Sequence, residues 1–176
     1  HCGRMSPEKE PARSVQAVSE LVKAGINVRL IIVGGGPLWN KIRKQSLGLP
    51  IEMLGYVASR EKVAGYLAAA DIAIAPGPLE TFCLSALESL ASGTPVVASK
   101  SSAVGEILNV NSIKAAGAVA ADDGLSFANE IIKLLKLPKA KYNLRIYFLR
   151  NIKSEIGNFL SLNKNNLIEN GNFFAG

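Results

Sequence analysis

Cysteine and histidine are scarce in this chain: Cys2 and Cys83 are the two cysteines, and His1 is the single histidine. The cysteines lie far apart and form no CxxC pair, which rules out a disulfide framework as the organising device and fits a reducing compartment. Without a His/Cys cluster there is no expected metal site, and no cofactor is expected either. No apolar run reaches the roughly 18 residues of a bilayer span, and nothing at the start reads as a signal peptide. A GxSxG elbow, a Walker lysine motif and an HExxH pair are all missing, so the hydrolase, P-loop and zinc-protease patterns do not apply. Aromatic residues make up 6% of the chain and do not interleave with the bases, so the net charge of +6 is not read as a nucleic-acid surface. That charge leaves phosphorylated small molecules or a membrane surface as anionic partners.

What is present is a strong apolar pattern, with 48% hydrophobic residues and a mean hydropathy of +0.21. Ser6-Pro7-Glu8 opens a helix, with Val15, Val18, Leu21 and Val22 at helical spacing and Gly25 as its stop. Val28 to Val33 is a continuous apolar run, as expected of a strand covered on both faces, and ends in Gly34-Gly35-Gly36-Pro37. That turn leaves room for something to approach the backbone at Gly34. Further strands are expected at Ile51–Leu54 (closing at Gly55-Tyr56-Val57), Ile72–Ala75, Val96–Ala98 and Ala116–Ala121. Helices are expected at Leu38–Leu47, Arg60–Ala70, Phe82–Ala91, after Ser101-Ser102, and at Leu125–Leu137 behind Asp122-Asp123-Gly124. Strands alternating with helices predict an α/β, Rossmann-like fold, a mostly parallel sheet with helices on both faces. His1-Cys2-Gly3 reads as the end of a first strand whose beginning is missing, so the chain is expected to be a fragment.

In such folds ligands bind beyond the carboxyl ends of the strands. Arg4, the Gly34–Gly36 turn, Tyr56 and Val57, Glu80, and Ser101-Ser102 each follow a predicted strand and should share one edge. The segment Ile72–Ser99 is the centre of that edge: a strand, a Gly/Pro loop, a helix whose positive end attracts anions, and a second strand. Glu80 stands at the mouth of the helix and Glu88 about two turns along it, with an expected separation of roughly 10 Å along the axis. Alone, each is an ordinary solvated acid. Within the apolar stretch LSALESLAS, however, Glu88 faces either a cleft or a desolvation cost. Arg4 and Lys9, ordinary surface bases in isolation, supply two fixed positive charges where a pyrophosphate could sit without a metal.

Four motifs together resemble the C-terminal, nucleotide-sugar-binding half of the group one, or family-four, retaining glycosyltransferases of the GT-B fold. They are Gly3-Arg4-Met5-Ser6-Pro7-Glu8-Lys9, Val33-Gly34-Gly35-Gly36-Pro37, Ala70-Asp71 ahead of a strand, and the Glu80-x7-Glu88 segment joined to Ser92-Gly93-Thr94-Pro95-Val96-Val97. The phrase APGPLETF is most similar to bacterial α-mannosyltransferases that use GDP-mannose. The resemblance implies that Arg4 and Lys9 bind the donor diphosphate and stabilise it as it leaves. It implies that Glu80 holds donor-sugar hydroxyls, with the backbone N–H groups of Phe82 and Cys83 beside it. Leu84 and Ser85 would meet the phosphates, Glu88 the ribose hydroxyls, and the backbone near Tyr56 and Val57 the base. Retention of configuration in that family is ascribed to front-face attack, so the enzyme's main contribution would be stabilising the departing nucleotide. Cys83 stands where the family usually has glycine, and the family's N-terminal, acceptor-binding domain is expected to lie outside these residues.

The expected organisation is therefore a donor-binding domain at residues 1–137 and a basic, Asn-rich tail at 138–176. Residues 141–176 hold eight asparagines against five in residues 1–140. Ile146, Phe148 and Leu149 make a candidate apolar helix face, read either as packing or as a membrane-surface contact. The partners implied are a nucleotide-sugar donor, with a glycan or glycolipid acceptor held by the missing domain, in a cytoplasmic or membrane-peripheral setting. A UDP-glucose donor and a non-catalytic nucleotide-binding scaffold are the alternatives.

Overall fold

A computed structural model describes residues 1–109 and 116–137; the expected tail at 138–176 lies outside the described residues. The elements run α1 (Pro11–Lys23), β1 (Leu30–Val33), α2 (Trp39–Gln45), β2 (Ile51–Gly55), α3 (Arg60–Ala69), β3 (Ala73–Ala75), α4 (Leu84–Ala91), β4 (Val96–Ser99), α5 (Val104–Asn109), β5 (Gly117–Ala120) and α6 (Gly124–Leu135). Every named strand pairs in parallel with its neighbour, β1 with β2, β3 with β4, and β4 with β5. The expected alternation is thus present.

Side chains on a strand point alternately to opposite faces, and that period assigns the two halves of the core. Ile74 of β3 and Val97 of β4 join Val15, Val18 and Leu21 of α1, Ile42 of α2, and Phe127 and Ile131 of α6. Their neighbours Ala73, Ala75, Val96 and Ala98 turn the other way, onto Ala86 and Leu90 of α4 and Val104 and Leu108 of α5. Helix α3 rests on α4. Thr94 is fully buried at this join, its hydroxyl donating to the Leu67 carbonyl at 2.6 Å and so tying the end of α3 to the turn before β4.

The single sheet is interrupted: the strands form a pair, β1-β2, and a trio, β3-β4-β5. Between them lies His1–Gly3, where Cys2 bridges Val33 in parallel and the Gly3 N–H donates to the Val33 carbonyl at 2.9 Å. A cavity of about 310 Å³ remains there, lined by Leu21, Leu30, Ile72, Ala73 and Ile131 among others.

Two helix starts differ from expectation, each for a local reason. Ser6 does not cap a long helix; its hydroxyl donates to Glu8 Oε1 at 2.5 Å, and Pro7–Lys9 form only a 3₁₀ turn. Glu10 takes the left-handed conformation, φ 45° and ψ 49°, which breaks the chain between that turn and Pro11 at the start of α1. Helix α4 starts at Leu84 rather than Phe82 because Cys83 is also left-handed, φ 43° and ψ 73°.

Candidate functional site

Parallel pairing sends the carboxyl ends of β1 to β5 to one edge, and the loops after them carry most of the residues singled out by sequence. The break at Glu10 leaves Lys9 at the end of its turn, facing the loop that follows β3. Lys9 Nζ donates to Glu80 Oε1 at 2.5 Å. The Glu80 side chain is only 11% exposed and that of Lys9 33%, so this carboxylate is held largely out of water by a charge-assisted bond. Gly77 makes the approach possible: a Cβ there would lie 2.9 Å from the Glu8 carbonyl oxygen and 3.2 Å from Lys9 Cα. The main chain of Glu80 is fixed from the other side, its carbonyl accepting the Ala103 N–H at 2.9 Å.

Immediately beyond stands the N-terminus of α4. Cys83 provides no side-chain cap, and its carbonyl accepts the N–H groups of Ala86 at 3.0 Å and Leu87 at 3.3 Å. Helix ends leave their first N–H groups without intrahelical acceptors, so Leu84 and Ser85 begin a helix end suited to an anion. Ser85 also lies close to Cys83, Oγ to Sγ 3.5 Å. Phe82 and Leu84 are 60% and 66% exposed, and Tyr56, beyond β2, is 84% exposed.

Glu88 lies on the solvent-facing side of α4, opposite buried Ala86, Ser89 and Leu90. Of the two options the sequence left for this acid, the desolvated one does not apply. Because Glu80 precedes the helix by four residues, helical rise does not fix the Glu80–Glu88 spacing. The Cys2 thiol is pushed up, chiefly by burial, with the charges of Glu88 and Cys83 adding and the terminal ammonium opposing. Helix α4 therefore sits near the His1–Gly3 segment. Arg4 is exposed, and its charge reaches Glu8, whose carboxyl is held low first by the Ser6 hydroxyl and further by Arg4 and Lys9.

The glycine turn is not open where expected. A Cβ on Gly34 would lie 2.0 Å from the Gly3 carbonyl oxygen and one on Gly36 2.6 Å from that of Met5, so both glycines make room for the chain's own backbone. The Gly34 N–H is also engaged, donating to the Gly55 carbonyl at 2.7 Å. Gly35 is the position with nothing within 4 Å. Val57 is half-buried after β2.

Sequence reasoning passed over Arg13. This residue, buried on α1, donates through Nη1 to the Pro76 carbonyl and lies 3.5 Å from Asp122 Oδ1. Asp122 in turn accepts from the hydroxyls of Ser99, on Oδ1, and Ser101, on Oδ2 at 2.7 Å. Burial raises the Asp122 carboxyl, but the Ser99 and Ser101 hydroxyls and the charges of Arg13 and Lys100 outweigh it and hold the group below the usual range. The available signal was a lone arginine within the buried stripe Pro11, Ser14, Val15 and Val18. Among the described residues, no group of three or more His, Cys, Asp and Glu side chains is gathered as a metal site, and no helix is long and apolar enough to cross a membrane.

The fold and this motif set have known counterparts. A mycobacterial protein, the GDP-mannose-dependent alpha-(1-6)-phosphatidylinositol dimannoside mannosyltransferase of Mycobacterium tuberculosis, is 52% identical over 112 residues, 64% of this chain and 29% of its own. The alpha-monoglucosyldiacylglycerol synthase of Streptococcus pneumoniae is 38% identical over 99 residues, 54% of this chain and 22% of its own. The matched region thus spans less than a third of either relative. In three dimensions the chain is similar to the catalytic domain of cholesterol-alpha-glucosyltransferase from Helicobacter pylori, at TM-score 0.70 and 19% identity, covering 88% of this chain and 96% of that one. It is also similar to HepE of Anabaena in complex with UDP-glucose, at TM-score 0.73 and 22% identity, covering 92% and 47%. The description "Glycosyl transferases group 1" matches residues 1–137, the whole of the described α/β unit, so the chain belongs to the group 1 glycosyl transferases, as a C-terminal domain of the GT-B fold.

Proposed function

We propose that residues 1–137 bind the nucleoside-diphosphate sugar of a retaining hexosyltransferase, with GDP-mannose as the donor. The observation that carries this reading is the Lys9–Glu80 pair, 2.5 Å apart, set just ahead of the α4 N-terminus. A fixed cation and a helix end favour a diphosphate, and a carboxylate beside them accepts hydrogen bonds from sugar hydroxyls. In this reading Arg4 and Lys9 neutralise the diphosphate, and the N–H groups of Leu84 and Ser85 add the helix end. Glu80 holds the sugar with the backbone of Phe82 and Cys83. Glu88, already facing solvent, takes the ribose hydroxyls, and the backbone at Tyr56 and Val57 faces the base. Gly35, rather than Gly34, is the open position of the glycine turn.

Transfer breaks the bond between the sugar's anomeric carbon and the diphosphate oxygen, and forms one from that carbon to the acceptor oxygen, whose proton passes to the departing diphosphate. The negative charge gathers on the departing diphosphate. Fixed cations and a helix end aimed at that charge lower the barrier without a metal, since they need not reorganise as the charge develops. Mannose is preferred because the 52% identical mycobacterial relative is named for GDP-mannose. Glucose from UDP-glucose is the second reading, favoured by the 38% identical relative named as a glucosyldiacylglycerol synthase. The acceptor, a glycan or glycolipid, is met outside these residues. Replacing Lys9 or Glu88 by alanine in the intact protein is expected to lower transfer by about a hundredfold or more, measured with a radiolabelled donor. Unchanged kinetics in both variants would contradict the assignment, and a panel of GDP and UDP sugars separates the two donors.

A further inference from the structure

The loop that carries Glu80 is held by a group that touches none of the proposed donor contacts. Arg13 reaches from α1 across the edge of the sheet to three strand ends. It donates to the carbonyl of Pro76, the first residue after β3, and it faces Asp122, two residues after β5. Asp122 gathers Ser99, the last residue of β4, and Ser101 just beyond it. Pro76 is followed by Gly77, whose Cα packs on the backbone of Glu8 and Lys9 so closely that any Cβ would collide. Three residues further on comes Glu80. The Pro76 carbonyl therefore helps to set where the Glu80 carboxylate stands, and Arg13 Nη1, backed by the Asp122 carboxylate, holds that carbonyl.

We infer that Arg13 and Asp122 are positioning residues for the donor sugar, acting through Pro76 and Gly77 on Glu80. This rests on the donor-site reading above. The selectivity of the effect is what distinguishes positioning from bulk stability. The diphosphate meets Lys9 and the α4 N-terminus, and the ribose meets Glu88. The sugar depends most directly on where Glu80 stands, whereas the diphosphate feels it only through Lys9 and keeps Arg4 and the α4 N-terminus. Loosening the clamp should cost affinity for a nucleotide sugar and spare the nucleoside diphosphate. Both contacts run through Nη1; lysine at position 13 keeps the charge and a donor but replaces the rigid guanidinium by an ammonium on a shorter, flexible stem, so it should restore only part of the effect.

The test is calorimetric titration of the intact protein with GDP and with GDP-mannose, for wild type, Arg13→Gln, Arg13→Lys and Ser101→Ala, each checked by thermal melting. The expected result is a loss of about tenfold in GDP-mannose affinity for Arg13→Gln, with GDP affinity unchanged within about twofold. Arg13→Lys should fall between this variant and wild type. Ser101→Ala, an exposed change that leaves the core intact, should show a smaller loss in the same direction, and it decides the matter should Arg13→Gln not fold. Parallel loss for both ligands, or an unchanged preference in the folded variants, overturns the inference. Wild type that binds neither ligand overturns the donor-site reading itself, and the clamp with it.

Discussion

Glu80 owes its place to small features that are easy to break. Gly77 is required by proximity: alanine there would put a methyl group 2.9 Å from the Glu8 carbonyl oxygen and 3.3 Å from Glu80 Oε1. Gly77→Ala should destabilise the fold by about 1–3 kcal/mol in denaturant unfolding and separate Lys9 from Glu80, weakening nucleotide-sugar binding more than the stability loss accounts for. Thr94 offers a control away from the site. It is fully buried and donates to Leu67, so Thr94→Val removes a buried hydrogen bond and should cost about 1–3 kcal/mol, seen as a lower Tm. At this scale sequence reading found the charged residues and missed what holds them. Lys9 and Glu80 stand 71 residues apart, and their pairing follows from the fold and from no local pattern. The glycine turn was legible as a close approach, but the partner is Gly3 and Met5 rather than a ligand. Arg13 was passed over because an arginine on an amphipathic helix usually lies on the solvated face.

Element boundaries moved where single residues adopt left-handed backbone. The continuous helix expected from Ser6 became a 3₁₀ turn, a break at Glu10 and α1, and that break is what presents Lys9 to the site. At the α4 cap, Cys83 holds φ 43° without a glycine's freedom, which costs of order 1 kcal/mol in strain. Cys83→Gly should keep the helix start and leave the Tm equal or higher, whereas Cys83→Val should lower it, because a β-branched side chain tolerates that conformation worst. Asp122 supplies a pH signature for the elements it joins. Its carboxyl is held below the usual range in the folded chain, so near pH 4 the unfolded chain binds more protons than the folded one. The stabilisation is fully present above the unfolded pKa of about 4 and is lost as pH falls through the lower, folded value. Melting curves of wild type and Asp122→Asn should differ at neutral pH and converge as pH falls through the folded value.

For the molecule as a whole, the class of fold was readable because apolar runs alternate with helical periods over the first 137 residues, and the parallel pairing follows from that order. The division of the sheet was not readable. It turns on which strand His1–Gly3 pairs with, and its backbone bonds go to Ile31 and Val33 of β1, a contact between residues far apart in the chain. The convergence of strand ends at one edge was inferred from chain order alone and agrees with the placement of Glu80, Lys9 and the α4 N-terminus. Its functional meaning rests on ligand binding. The most direct test is titration of the protein with GDP and GDP-mannose, by calorimetry or by nuclear magnetic resonance, beside Lys9→Ala. The predicted result is saturable binding of both ligands at millimolar concentration or below, weakened for both in Lys9→Ala because the diphosphate loses its fixed cation. Absence of binding at millimolar ligand, or binding indifferent to Lys9→Ala, would contradict a donor site at this edge and favour a scaffold that only retains the family's fold.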